Sequence, residues 1–342
     1  MTICYTGDYN PSYPRHRVLI RGLRENGVEV IERPIKTPRE LIRAIRKHNA
    51  LVDYFFMGYS DSRIVWLARL VTRKPIIWDA FYSKYDNWVF DRKLASPRSV
   101  KAAYYWFLDW ICCVAARVVV LDTNANIEYF RRTFRLRNKK FIKVLVGTDD
   151  TVMIPRAKNP EERRFIVEFH GKYIPVQGVE YIVKAADLLR SEHDIHFVLV
   201  GDGQEYDKVH ALAETLRLTN ISFVPIVPYD RLPDVIANAD VCLGLAGNYD
   251  RGARAIPNKI YEASAMERAS INMDGPGIRE LYTDGKDILL CRGGDARDLA
   301  DKILELKNNP ELRHAIARNA RQLYLRHATP KAIGKELKIA LK

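Results

Sequence analysis

FHGKYIPVQGVEYIVKAADLL, residues 169–189, decides the fold. A strand expected at Phe165–Phe169 ends there, and Gly171 and Lys172 follow it. After Gly178 comes an amphipathic run, Val179–Arg190, with helical spacing. Strand, glycine-bearing turn and helix make one βα unit. Its turn brings together close backbone approach at Gly171, the cation of Lys172 and the start of a helix, a combination suited to cradling a diphosphate.

The pattern repeats on either side of this unit. Strands are expected at His196–Val200, Ser222–Val224, Val241–Leu245, Ser270–Met273 and Ile288–Cys291. Helices are expected at Glu205–Leu216, Tyr229–Asn238, Lys259–Met266 and Arg297–Lys307, with two more in 310–342. The first half has the same alternation. Its strands are expected at Thr2–Thr6, Val28–Ile31, Leu51–Met57, Pro75–Trp78, Val118–Leu121 and Phe141–Val146. Its helices are expected at Arg15–Asn26, Pro38–His48, Ser62–Thr72, Val100–Ala115 and Asn124–Thr133. Short, almost wholly apolar strands alternating with helices indicate parallel sheets covered on both faces. The polar stretch Asp149–Arg164, with Pro155 and Pro160, reads as a linker. The expected architecture is α/β: two Rossmann-like doubly wound domains facing across a cleft, residues 1–150 and 165–325. A last helix, 326–342, is expected to pack back on the first domain. Ligands of such sheets bind beyond the carboxyl ends of the strands.

The turn after the first strand, Gly7-Asp8-Tyr9-Asn10-Pro11, has one glycine, and no G-x-x-x-x-G-K-[ST] occurs. Dinucleotide and P-loop readings therefore lack their fingerprints. The five cysteines show no C-x-x-C spacing and are expected to be reduced and buried. The eight histidines show no metal spacing, and no metal site is expected. The amino-terminal MTICYTGDYNPSYPRH turns polar too early for a signal peptide, and Ala102–Val120 is interrupted by Asp109 and Arg117. A cytoplasmic protein is the expectation. Net charge is +13, and 27 Lys and Arg against 15 Asp and Glu lie in residues 1–150. The basic half suggests an anionic partner. FRRTFRLRNKKFIK (130–143) has seven basic residues and no acidic one, and AAYYWFLDWICC (102–113) is apolar and aromatic. Such an aromatic run is more often core, but with the basic residues beside it the pair suits peripheral attachment to an anionic membrane surface. Without a recognisable motif, nucleic acid is not an expected partner.

Further blocks follow the opening one in order. FVLVGDGQEYDKV (197–209) puts Gly201-Asp202-Gly203 at a strand end. ISFVPIVPYDRLPDVIANADVCLGL (221–245) runs strand, turn, helix, strand, and RAIPNKIYEASAMERASINMDGPGIREL (254–281) opens a helix at Pro257-Asn258 with Glu262 on its first turns. In this succession residues 165–310 resemble the C-terminal domain of family 4 glycosyltransferases, which have the GT-B fold. The first half is similar to that family only loosely.

The resemblance implies transfer of a sugar from a nucleotide diphosphate donor, UDP- or GDP-linked, to an acceptor hydroxyl on a glycan or lipid-linked glycan. It also implies retention of configuration and no metal or other cofactor. Lys172 and Gly171 would contact the donor diphosphate, and Glu262 would hold the ribose hydroxyls. Val224 would flank the base, Asn258 and Lys259 would help bind phosphate or sugar, and Asp202 lies in the G-D-G block. Gly7, Asp8 and Asp79 end strands of the first domain, with Asp79 the better candidate for acceptor positioning. Two positions depart from the family pattern: Arg254 stands where the first Glu of E-x7-E is expected, and Gln177 where a second basic residue is expected. Arg254 supplies a replacement positive charge or pairs with a neighbouring carboxylate. Plainer roles stand beside the others: Lys172 as a solvated loop residue, Glu262 as a surface carboxylate, Asp8, Asp79 and Asp202 as turn or cap residues, His170 as packed or hydrogen-bonded. A nucleotide-sugar 2-epimerase of the same fold and a non-catalytic partner subunit are the rival readings.

Overall fold

The computed structural model describes residues 1–11, 13–58 and 62–342. The chain divides into two compact units, 1–149 with 327–342, and 150–326.

In the first unit six strands form one parallel sheet: β1 Thr2–Gly7, β2 Glu29–Pro34, β3 Tyr54–Met57, β4 Ile76–Phe81, β5 Val118–Leu121 and β6 Lys140–Lys143. Their order is β2-β1-β3-β4-β5-β6. The helices are α1 Pro14–Glu25, α2 Pro38–His48, α3 Ser62–Val71, the single turn α4 Lys84–Asp86, α5 Val100–Ala115 and α6 Asn124–Thr133. Their starts follow from local chemistry. The hydroxyls of Thr37, Ser99 and Thr123 accept from the amides of Glu40, Ala102 and Asn126. Each cap satisfies an amide that the helix cannot. Cys4, Phe55, Met57, Trp78, Val119 and Phe130 form the core of this unit.

The second unit has the strands β7 Phe165–Lys172, β8 Ile195–Asp202, β9 Ile221–Val224, β10 Val241–Leu243, β11 Ala269–Met273 and β12 Leu289–Cys291. All are parallel, in the order β12-β11-β10-β7-β8-β9. The helices are α7 Val179–Leu188, α8 Tyr206–Thr215, α9 Leu232–Asn238, the short α10 Asp250–Ala253, α11 Asn258–Ala265, α12 Ala296–Asn308, α13 Pro310–His327 and α14 Pro330–Leu341, the last belonging to the first unit. The chain leaves β7 in one direction for β8 and β9 and returns to its other side for β10. The sheet's topological switch point therefore lies between β7 and β10, where doubly wound sheets place their ligands.

Helix α14 lies along α1. A Cβ on Gly334 would sit 2.0 Å from the backbone of Gly22, so two glycines permit this backbone approach. Asn26 Nδ2 donates to the Lys331 carbonyl at 2.9 Å, and the Tyr54 hydroxyl donates to that of Leu341 at 2.9 Å. No helix among the described residues is long and apolar enough to cross a membrane.

The elements differ from the sequence reading in a few places. Strand β7 runs three residues past Phe169, because β8 continues to pair with it: Gly171 opposite Gly201, Lys172 opposite Asp202. The glycine and lysine are thus the end of a strand and not a loop. A helical stretch at 84–91, α4 followed by a π-helical turn at Asn87–Asp91, was not expected. All five cysteines are buried and none forms a disulfide.

Candidate functional site

At the switch point, the end of β7 meets the first turns of α11. Gly171 has φ +150°, a conformation open to glycine, and a Cβ there would lie 3.1 Å from Lys259 Nζ. Lys259 is buried, its ammonium 3.9 Å above the centre of the Phe169 ring and donating to Gln177 Oε1. One turn on, Glu262 is also buried and accepts on Oε2 from His170 Nε2 at 2.8 Å. The other ring nitrogen of His170, Nδ1, bonds Glu168 Oε1 at 2.8 Å. Glu168 and His170 are two residues apart on one strand and so share a face of the sheet. The opposite face, with Val167 and Phe169, belongs to the core under α7 and α12.

The site thus holds two carboxylates, an imidazole and an ammonium, all removed from water. Burial drives the Lys259 ammonium down to about 7, against the attraction of Glu168 and Glu262. Burial also opposes charge on His170. There the charge and hydrogen bond of Glu168, with those of Glu262, outweigh it, and the ring is raised from 6.5 to about 9. At neutral pH His170 is charged and Lys259 is partly neutral.

Beside this cluster, α7 begins at Gly178 with no side-chain cap. Gly178 has φ +67°, and a Cβ there would fall 2.0 Å from the Gly247 amide nitrogen. The position excludes any larger residue and leaves the first amides of α7 unoccupied by side chains, a setting that favours an anion.

The structure thus brings Gly171, Lys259 and Glu262 together, with Lys172 next to Gly171 along β7. Lys172 is exposed at the end of β7, with Asp202 opposite it on β8. Asp202 Oδ1 accepts from the Gly203 amide at 2.7 Å, the turn role. Val224 ends β9, one strand further out, and Asn258 is the first residue of α11. The surface-carboxylate alternative for Glu262 is overturned by its burial. Arg254 is buried beside α10 and donates to Asp250 Oδ2 at 2.7 Å, so its charge is already paired. In the first unit, Gly7 ends β1 and Asp8 is exposed just after it. Asp79 is not an acceptor-positioning residue. It is wholly buried in β4, and Arg15, equally buried, donates to both its oxygens at 2.6 and 2.7 Å. Its carboxylate is fully buried and held by this ion pair, so neither oxygen is open to an acceptor. Glu168 belongs to no motif block of the sequence. The available signal was a glutamate alternating with a histidine inside a strand otherwise apolar on both faces.

The family described as Glycosyl transferases group 1 matches residues 153–323, half of the chain. The chain belongs to this family. Among group 1 relatives, the alpha-D-kanosaminyltransferase of Streptomyces kanamyceticus is 27% identical over 176 residues, 51% of this chain and 44% of the relative. An N,N'-diacetylbacillosaminyl-diphospho-undecaprenol alpha-1,3-N-acetylgalactosaminyltransferase of Campylobacter jejuni is 24% identical over 184 residues, 54% of this chain and 46% of the relative. The chain spans under half the length of the curated relatives it matches. HepE of Anabaena, solved in complex with UDP, has the same fold, with a TM-score of 0.75 at 13% identity over 100% of this chain and 99% of HepE. The fold of this member of the group 1 family is GT-B.

Proposed function

We propose that this chain is a retaining, metal-independent enzyme of the family 4 type, moving a sugar from a UDP- or GDP-linked donor to a hydroxyl of a glycan or lipid-linked glycan. The observation that carries the reading is the buried pair Lys259 and Glu262, one turn apart on α11 and next to the Gly171 strand end. A carboxylate suits two ribose hydroxyls, and ammonium groups with bare helix amides suit a diphosphate. On this reading the second domain, 165–325, binds the donor. Lys172, Lys259 and the α7 amides stabilise the charge that develops on the leaving diphosphate, and that diphosphate helps deprotonate the acceptor. Complexes of HepE with UDP and with UDP-glucose support a uridine donor.

The first domain, 1–150, then takes the acceptor. The diphospho-undecaprenol named for the Campylobacter relative supports a lipid-linked one. The outer face of α5 supports a site at an anionic membrane. Val100 is 88% exposed and Tyr104, Phe107 and Val114 about half exposed, while Ala102, Leu108, Cys112 and Cys113 on the inner face are buried. Arg98 and Lys101 flank the exposed stripe. Apolar side chains beside cations fit an interface of lipid tails and anionic headgroups. In 130–143 only the basic residues contribute to such a face, since Phe130, Phe134 and Phe141 are core.

The Asp250-bound Arg254, where a sugar-contacting carboxylate is expected, favours a non-catalytic subunit as the second reading. Incubation with UDP- and GDP-sugars, with and without lipid-linked acceptors, separates the readings. Transfer or donor hydrolysis abolished in Glu262→Ala supports the enzyme. An epimer formed without acceptor supports the epimerase. No turnover despite donor binding supports the subunit.

A further inference from the structure

His170 lies within the donor cluster, yet no donor contact needs it. Both its ring nitrogens bond carboxylate oxygens, Glu168 Oε1 and Glu262 Oε2, each at 2.8 Å. Ionised carboxylates only accept, so both nitrogens donate and the ring is an imidazolium. All three residues are buried. From the other elements packed here, α11 contributes Lys259, which lies in the field of both carboxylates. Strand β10 contributes Cys242, a buried thiol beside Glu168, and β8 sets Val200 opposite His170.

Resting on the reading that Glu262 holds the donor ribose, we propose that His170 is a positioning residue for nucleotide recognition: anchored by Glu168, it grips one oxygen of Glu262 and aims the other at the ribose hydroxyls. A glutamate side chain turns about three bonds. Fixing it before the ligand arrives removes that ordering cost from binding. The arrangement matches the way a second carboxylate orients an imidazole that in turn holds a reactive group. Lys259 and Lys172 answer for the diphosphate, whereas His170 acts on the ribose through Glu262.

The role predicts a readout that a purely structural residue would not move, namely discrimination of the ribose. The probes are UDP, 2′,3′-dideoxy-UDP and inorganic pyrophosphate, titrated into the whole chain, with the GDP pair used instead if guanosine is the base. The wild type is expected to prefer UDP over its dideoxy form by about tenfold or more, the range of hydrogen bonds to a charged group. In H170N the amide reaches Glu168 but not Glu262, and the preference should fall to within about twofold of unity. In H170Q the amide reaches Glu262, and most of the preference should return. Pyrophosphate affinity should be alike in all three proteins. If H170N does not fold, judged by its melting curve, Glu168→Gln loosens the ring without changing its shape and should lower the preference in the same way. The proposal is overturned if H170N or, in its place, Glu168→Gln discriminates the ribose as the wild type does. It is equally overturned if pyrophosphate affinity falls in proportion to that of UDP. A wild type that binds pyrophosphate but neither nucleoside diphosphate would instead remove the donor reading, and this inference with it.

Discussion

Donor binding should draw nearly one proton from solution at pH 8, because Lys259 is largely neutral until the diphosphate arrives. Its ammonium is held at about 7 by burial in the free protein. At pH 8 that leaves roughly nine-tenths of the chains with a neutral amine. An opposite charge within contact raises such a group by about 1–3 units, so a bound diphosphate brings Lys259 to about 9. Nine-tenths are then charged, and the uptake is about 0.8 proton. The same arithmetic makes affinity fall roughly tenfold between pH 7 and 8.5. Titration calorimetry with UDP or GDP at pH 8, in buffers of different ionisation enthalpy, reads the uptake directly. Lys259→Met keeps most of the volume and removes the titrating group, and it should bind more weakly, with near-zero uptake and little pH dependence over this window. The reasoning is refuted if the wild type binds with uptake below about 0.2 proton, or if Lys259→Met takes up as much as the wild type.

Three further predictions concern stability and surface. The raised His170 stabilises the fold below pH 6.5, and that contribution is lost as pH rises to about 9. The lowered Lys259 acts the opposite way, stability returning as pH rises from about 7 towards 10.5. Between pH 7 and 9 they cancel at about 1.4 kcal/mol per unit each, so relative to wild type Lys259→Met should lose about 2–3 kcal/mol over that interval and H170Q should gain as much. Melting curves that shift in the same direction for both variants would contradict this. Gly178→Ala forces a Cβ to 2.0 Å from the Gly247 nitrogen at φ +67° and should cost about 3 kcal/mol or more; an unchanged melting temperature would contradict it. Val100→Glu combined with Phe107→Ser should abolish sedimentation with anionic vesicles that neutral vesicles do not support, and undiminished sedimentation would remove α5 from the docking face.

Most of the architecture is legible in the sequence, because most strands are short, largely apolar runs, β2 (EVIERP) and β6 (KFIK) being the charged exceptions, and every long helix has a buried stripe. The exceptions have identifiable causes. The helical stretch at 84–91 is capped by Ser83 and passes into a π-turn carrying Trp88 and Phe90, so it has no helical period to recognise. The extension of β7 depends on β8, a partner that no local reading supplies. In the site, Gly171, Lys259 and Glu262 were visible through their motif blocks. Glu168 was not, because its alternation with His170 in FIVEFHGK is the whole local signal, and it becomes a site only when Glu262 closes on the same face. Asp79 looked like a free strand-end carboxylate. Its partner Arg15 lies 64 residues earlier in the chain, a pairing only the fold creates.

The most direct measurement is equilibrium titration of the wild type and of Glu262→Ala with UDP and with GDP. One of the two nucleotides should bind the wild type, and Glu262→Ala should weaken it by about ten- to a hundredfold while the protein remains folded. Binding of neither nucleotide, or binding unaffected by Glu262→Ala, would contradict the assignment of this cluster as the seat of a sugar nucleotide.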